Sequence, residues 1–205
     1  CIRDRYHGPD GLRHIARRVH GLASIMAAGA KELGFKTRSE MFFDTVTINV
    51  GEGKAASVVA AAVAKDYNIR QMDENCVSIA FDETSTLEDV NALFSILAGG
   101  SCSFTAESLA EGVTQNVGDF CRTTDYLTHP VFNTYHSEHE MLRYLARLEA
   151  KDLSLCHSMI TLGSCTIKLN STSEMMPITW DEFANLHTFA PEDQAAGYTE
   201  MIGNL

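Results

Sequence analysis

The stretch "SLCHSMITLGSCTIKLNSTSEMMPITWDEFANLH" (154–187) gathers the groups in this chain best suited to chemistry. From Ser158 to Met176 neither a helical period nor strand alternation holds for more than a few residues. Its backbone polar groups must therefore find partners outside regular structure, and a ligand is one way. Within "GSCTIKLN" (163–170), Gly163 permits a tight backbone and Ser164 and Thr166 offer hydroxyls beside Cys165. Lys168 brings a positive charge and Asn170 an amide. Such a donor set could hold a carboxylate or phosphate, and on composition alone a polar structural turn fits equally well. Cys156 and His157 could form a thiolate–imidazole pair. Sequence neighbours rarely face each other, so a buried thiol beside a hydrogen-bonded histidine is the plainer reading.

Other constellations are weaker. "NVGEGKAAS" (49–57) hints at a phosphate loop, but the first glycine is missing at the required offset and Ala55 stands where Ser or Thr should hold magnesium. It reads as a strand-to-helix turn. His129, His136 and His139, with His157, invite a metal site, yet no acidic or Cys partner lies at a recognisable offset, so no metal is expected.

The elements that must position these groups are those of an ordinary globular chain, with 45% hydrophobic and 21% charged residues. A formal net charge of −11 argues against a nucleic-acid partner. The basic "RHIARRVH" (13–20) is a local exception and reads as the solvated face of a helix. No run of eighteen apolar residues exists to span a membrane. The six cysteines are scattered and read as reduced thiols of an intracellular protein. The opening "CIRDRYHGPDG" carries no initiator Met or recognisable targeting segment, and a start at Cys1 suggests part of something longer.

Pro9 and Asp10 are expected to open a helix whose Leu12, Ile15, Val19, Leu22 and Met26 share a face, with Gly34 ending it. "MFFDTVTINV" (41–50) reads as a strand, 54–68 as an Ala-rich helix, and 69–82 as two short strands around "MDEN". Thr86 and Asp89 form a near capping box for a helix over 86–98. Residues 99–130 are polar and long for a connection. Ser137 and Glu140 cap a further helix with Met141, Leu142, Leu145 and Leu148 on one face, and Pro191 lies near the first turn of a last one. The expected class is α/β.

"LTHPVFNTYHSEHEMLRYLARLEAKDLSLCHSMITLGSCTIKLNSTSEMMPITWDEFANLHTFAPEDQAAGY" resembles glycine decarboxylase, the pyridoxal-phosphate-dependent P-protein of the glycine cleavage system. "YHGPDGLRHIARRVHGLA" and "FFDTV" resemble the preceding region of that family. The likeness covers essentially the whole chain after its first five residues. The chain departs at Thr161, Ile167 and Thr188, where the family reads "HSMIPLGSCTMKLN" and "HPFAP", and "CIRDR" does not match an expected Ala-rich helix.

The resemblance implies a tandem of two aminotransferase-like halves of fold type I. Residues 1–98 would be the small lobe ending the N-terminal half, 99–137 a connecting segment, and 138–205 the start of the catalytic C-terminal half. It implies an oxidoreductase, a glycine dehydrogenase (aminomethyl-transferring), with pyridoxal 5'-phosphate as cofactor. Glycine would lose carbon dioxide and the aminomethyl group would pass to the lipoyl arm of the carrier H-protein. The family's Schiff-base lysine lies downstream of the "GSCTMKLN" segment, so Lys168 is not that lysine and this chain is expected to be inactive alone. Ser164, Cys165, Thr166, Lys168, Asn170 and His157 would then be cofactor-binding or substrate-adjacent. A homodimeric, mitochondrial parent is expected, with bacterial cytoplasm as the alternative. Two other readings stay open: an amino-acid-binding module over 35–98, or a module that supplies only packing between halves.

Overall fold

A computed structural model describes residues 2–114, 117–151, 159 and 171–205. The chain divides into two compact units, Cys1–Leu142 and Arg143–Leu205. The first unit runs α1 (Ile2–Glu32), β1 (Lys36–Thr37), β2 (Thr45–Asn49), α2 (Ala55–Val63), β3 (Arg70–Gln71), β4 (Cys76–Ala80), α3 (Leu87–Ala98) and α4 (Ala106–Ala110). Helix α5 (Glu138–Glu149) follows, and the second unit adds α6 (Thr172–Met175), α7 (Asp181–Ala184) and α8 (Ala196–Asn204).

Helix α1 starts earlier than Pro9. It comprises two helical pieces broken at Gly8, whose φ of 64° and ψ of −177° lie outside the helical region. Pro9, lacking an N–H and fixed in φ, opens the longer piece, as a first-turn proline should. At the other end Gly34 takes φ +84°. Its N–H donates to the Lys31 carbonyl and that of Phe35 to the Ala30 carbonyl, which closes the helix with a Schellman turn.

The four strands make one antiparallel sheet in the order β1-β2-β4-β3. Thr45 to Asn49 pair with Ala80 to Cys76, so Val46 and Ile48 share a face with Ile79 and Val77. All four side chains are buried. On the other face the hydroxyls of Thr47 and Ser78 meet at 3.1 Å. The expected hairpin over 69–82 is present as β3 and β4. The expected strand over 41–50 is shorter, running Thr45–Asn49, and just before it the Phe43 carbonyl accepts from His20 Nδ1 at 2.8 Å.

Helices α1 and α3 supply the core beside the sheet: Val19, Leu22, Met26 and Ala30 from α1, and Val90, Leu93, Phe94 and Leu97 from α3. Phe94 is fully buried. A Cβ placed on Gly29 would lie 2.2 Å from its Cε1 and 2.3 Å from its Cζ. Glycine costs helix stability of about 0.8–1 kcal/mol relative to alanine, so its presence here reflects the close approach of the ring.

The box expected at α3 forms. Asp89 N–H donates to Thr86 Oγ1, and Thr86 N–H donates to Asp89 Oδ2 at 2.7 Å. Asp89 Oδ1 also accepts from the Tyr67 hydroxyl at 2.9 Å. Just before it, Asp82 Oδ1 accepts from the Thr84 and Ser85 hydroxyls and N–H groups. Burial opposes ionisation of Asp89, but the hydrogen bonds from Thr86 and Tyr67 prevail and hold its carboxyl below the usual range. The Thr84 hydroxyl leads the groups that do the same for Asp82.

Two outcomes follow from this packing. Gly29→Ala should destabilise the chain by roughly 1–2 kcal/mol, because overpacking at about 1–3 kcal/mol outweighs the gain in helix propensity. An unchanged or raised urea midpoint would contradict that. Asp89→Ala should cost about 1 kcal/mol at neutral pH. A folded pKa below the unfolded value means the unfolded chain holds the proton more readily. The stabilisation is therefore complete above about pH 4 and is lost as pH falls through the depressed native value. The gap between wild type and Asp89→Ala in urea unfolding should narrow from pH 7 to pH 3, and a constant gap would refute the linkage.

Candidate functional site

His157, Ser164, Cys165, Thr166, Lys168 and Asn170, singled out above as the candidate ligand-holding group, lie outside the described residues, as does Cys156. Their flanks are described. Upstream, Glu140 N–H donates to Ser137 Oγ at 3.4 Å, and Ser137 Oγ donates to Glu140 Oε2 at 3.1 Å, so α5 has the expected cap. Met141 is buried on α5, whereas Leu142, Leu145 and Leu148 are exposed. Immediately downstream, Ser171 and Glu174 cap α6 reciprocally, through Glu174 N–H to Ser171 Oγ at 3.2 Å and Ser171 N–H to Glu174 Oε2 at 3.0 Å. Trp180, Phe183 and Tyr198 follow as an aromatic run, with neighbouring ring centroids 6.2 and 5.9 Å apart. The Tyr198 hydroxyl donates to the Phe183 carbonyl at 2.8 Å, which ties α8 to α7.

The turn at 49–57 has the bonding of a strand-to-helix connection. Gly51 N–H donates to Asn49 Oδ1 at 3.0 Å, Gly53 N–H to Asn75 Oδ1 at 2.9 Å, and Ala55 N–H to the Glu74 carbonyl at 3.1 Å. Donors that would cradle a phosphate are thus engaged within the protein. Two of the candidate histidines are similarly engaged. His129 Nδ1 accepts from Val131 N–H at 3.1 Å, and His136 Nδ1 donates to the Tyr6 carbonyl at 2.8 Å. Among the described residues no three His, Cys, Asp or Glu side chains converge as metal ligands would.

His136 belongs to a latch that the sequence did not reveal. Residues 126–141 return to the first turns of α1. Arg5 is buried, donates Nε–H to the Val131 carbonyl at 3.1 Å, and lies 4.7 Å from the centroid of the Tyr135 ring. The Tyr126 hydroxyl donates to the Pro9 carbonyl at 2.5 Å. Gly8 sits between these contacts, where a Cβ would lie 2.7 Å from His136 Cε1 and 2.7 Å from the Phe132 carbonyl oxygen. The only available hint was "HGP", a glycine before a proline inside a helical stretch. With its positive φ and this crowding, Gly8 cannot accept a side chain without displacing the returning segment. Gly8→Ala should therefore raise amide hydrogen exchange in 126–141 while leaving β2 and β4 protected. Unchanged exchange in 126–141 would show that the latch tolerates the methyl group.

Comparison with known proteins gives this frame a lineage. The family described as glycine cleavage system P-protein matches residues 2–97. The mitochondrial glycine dehydrogenase (decarboxylating) of Pisum sativum is 55% identical over 202 residues, covering 98% of this chain and 19% of the relative. That of Flaveria trinervia is 53% identical over 203 residues with the same coverage. The glycine dehydrogenase (decarboxylating) of Nostoc punctiforme is 49% identical over 208 residues, covering 98% of this chain and 21% of the relative. The chain spans about a fifth of the length of these curated relatives. With about half its residues shared along nearly its whole length, the chain is similar throughout to these glycine dehydrogenases and, over residues 2–97, to the P-protein family of the glycine cleavage system.

Proposed function

We propose that this chain contributes to a glycine decarboxylase that uses pyridoxal 5'-phosphate and delivers an aminomethyl group to the lipoyl arm of an H-protein. The observation that carries this reading is the 55% identity, over 98% of the chain, to a protein named glycine dehydrogenase (decarboxylating). In this reading residues 1–98 are the small lobe closing one aminotransferase-like half of fold type I. Residues 99–137 are the connection, and 138–205 begin the catalytic half. The parent would be a homodimer. Its compartment would be the mitochondrion, as the names of the plant relatives state for those proteins, with bacterial cytoplasm the alternative given the cyanobacterial relative.

The donor set fits the cofactor or the carboxylate of its substrate better than it fits a covalent role. Lys31, Lys36, Lys54, Lys65 and Lys151 are all exposed, whereas a lysine that must lose its proton to react needs burial or a neighbouring charge. Ser164, Thr166, Lys168 and Asn170, with Cys165 and His157 nearby in sequence, are small donors and one cation suited to holding an anionic group. When bound, pyridoxal phosphate supplies an electron sink for the bond that breaks on loss of carbon dioxide. The contribution of this chain would be to bind and orient: hydroxyl and amide donors to the anion, and Lys168 as a fixed positive charge. Lys168→Met in the full-length enzyme should lower glycine–carbon dioxide exchange about ten- to a hundred-fold, the value of one charge-assisted hydrogen bond, with folding intact. Wild-type exchange and glycine affinity in that variant would return the loop to a structural turn.

A further inference from the structure

In the first unit, α1 and the segments around 41–43 and 117–126 enclose an open cleft of about 910 Å³. Its walls are apolar and aromatic, with Leu12, Met41, Phe43, Phe120 and Tyr126. Arg13, Arg17 and Arg122 also line it, and among the described residues no carboxylate does. That is an unusual concentration of one charge in a chain of formal net charge −11. Arg13 is paired with Asp10 at 2.8 Å and Arg122 donates to Thr124 Oγ1 at 3.3 Å. Their guanidinium carbons lie 5.8 and 5.6 Å from the centroid of the Tyr126 ring, so both are gathered at one wall. Arg17 is exposed and has no partner among the described residues.

His20 supplies an independent observation. It lines the same cleft but is only 5% exposed. Its ring stacks on Phe43 at 5.8 Å, and its Nδ1–H donates to the Phe43 carbonyl. The remaining nitrogen, Nε2, is buried and without a hydrogen-bond partner among the described residues. Buried polar atoms are normally satisfied, so an orphan acceptor at the wall of a cleft points to a missing donor. Arg17, which has no counter-charge among the described residues and stands beside Arg13 and Arg122, points to a missing anion. Aromatic walls around a volume of this size point to a planar apolar body rather than an inorganic ion.

We propose that this cleft binds a small aromatic acid carrying a hydroxyl or N–H donor. Arg17 takes the carboxylate, with Arg13 and Arg122 adding to the positive field. The ring lies against Phe43, Phe120 and Tyr126, and the donor reaches His20 Nε2 by displacing the side chains that close it from solvent. Isothermal titration of the 205-residue chain with 4-hydroxybenzoate, benzoate and 4-hydroxybenzyl alcohol tests each part. 4-Hydroxybenzoate should bind most tightly, benzoate several-fold more weakly, and the uncharged alcohol at least ten-fold more weakly. Arg17→Gln should weaken 4-hydroxybenzoate about ten-fold. Arg70→Gln, the same loss of charge on β3 and outside the cleft, should leave it unchanged. His20→Phe should bring the two acids to equal affinity. Should that variant not fold, the wild-type difference between the two acids carries the His20 contact by itself. Equal affinity for acid and alcohol, equal effects of the two arginine variants, or no binding of either acid would overturn the proposal. Equal wild-type affinity for the two acids would overturn the part assigned to His20.

Discussion

The first unit is organised around one close approach, that of the Phe94 ring to the backbone of α1 at Gly29. A ring that meets a helix where there is no side chain sets the separation between α1 and α3 at its tightest point. The small residues Ala23, Ala27 and Ala30 are buried on the same helix, and Val90, Leu93 and Leu97 are buried on the other. The same ring packs edge-on against Phe104, with centroids 5.2 Å apart. The contact therefore also fixes where the chain runs after α3. Asn91 completes that fixation: its Oδ1 accepts from Ala106 N–H at 2.7 Å and its amide donates to Glu107.

Around this core, short polar side chains take over wherever regular hydrogen bonding stops. Asn49, Asn75, Asp73, Asp82 and Thr86 each accept from a backbone N–H within a turn. Side-chain acceptors of this kind hold turns in place without adding apolar bulk. A sheet of only four strands, two of them two residues long, thus stays in one register. Just before β2 the Phe81 N–H still reaches the Asp44 carbonyl, and the imidazole of His20 holds the Phe43 carbonyl on the other edge of the strand.

Elements with strong local chemistry were legible in the sequence. Helix α3 has its capping box at Thr86 and a left-handed stop at Gly99, and both ends follow from those residue types. The hairpin of β3 and β4 and the caps at Ser137 and Gly34 were legible for the same reason. Elements defined by distant partners were not. Strand β1 is two residues long and exists because Lys36 and Thr37 face Asn49 and Ile48. Helix α4 is a five-residue turn inside a polar stretch, made by a box of Thr105 and Ser108 that resembles ordinary loop composition. The basic run 13–20 reads as a solvated face, and Arg13, Arg17 and Arg18 are exposed. Periodicity alone could not show that two of these arginines border a cleft, or that His20 is buried beside it. For the polar stretch 163–170, which lies outside the described residues, residue types fit an anion site and a structural turn equally, and the partners that would decide lie beyond what local spacing encodes.

The latch between the start of α1 and residues 126–136 joins groups 117 to 130 positions apart in the chain. Loop closure over such a distance carries an entropic cost that local turns and hairpins do not. On a ribosome, where roughly 5–20 residues are added each second, the buried guanidinium of Arg5 would wait on the order of 6–25 s for Val131 and Tyr135 to be made. Through that interval the sheet, α1 and α3 can already assemble around Phe94, since all their residues precede position 99. The fold thus has a built-in order of events, with a core completed early and a clasp that can close only after synthesis has run well past it.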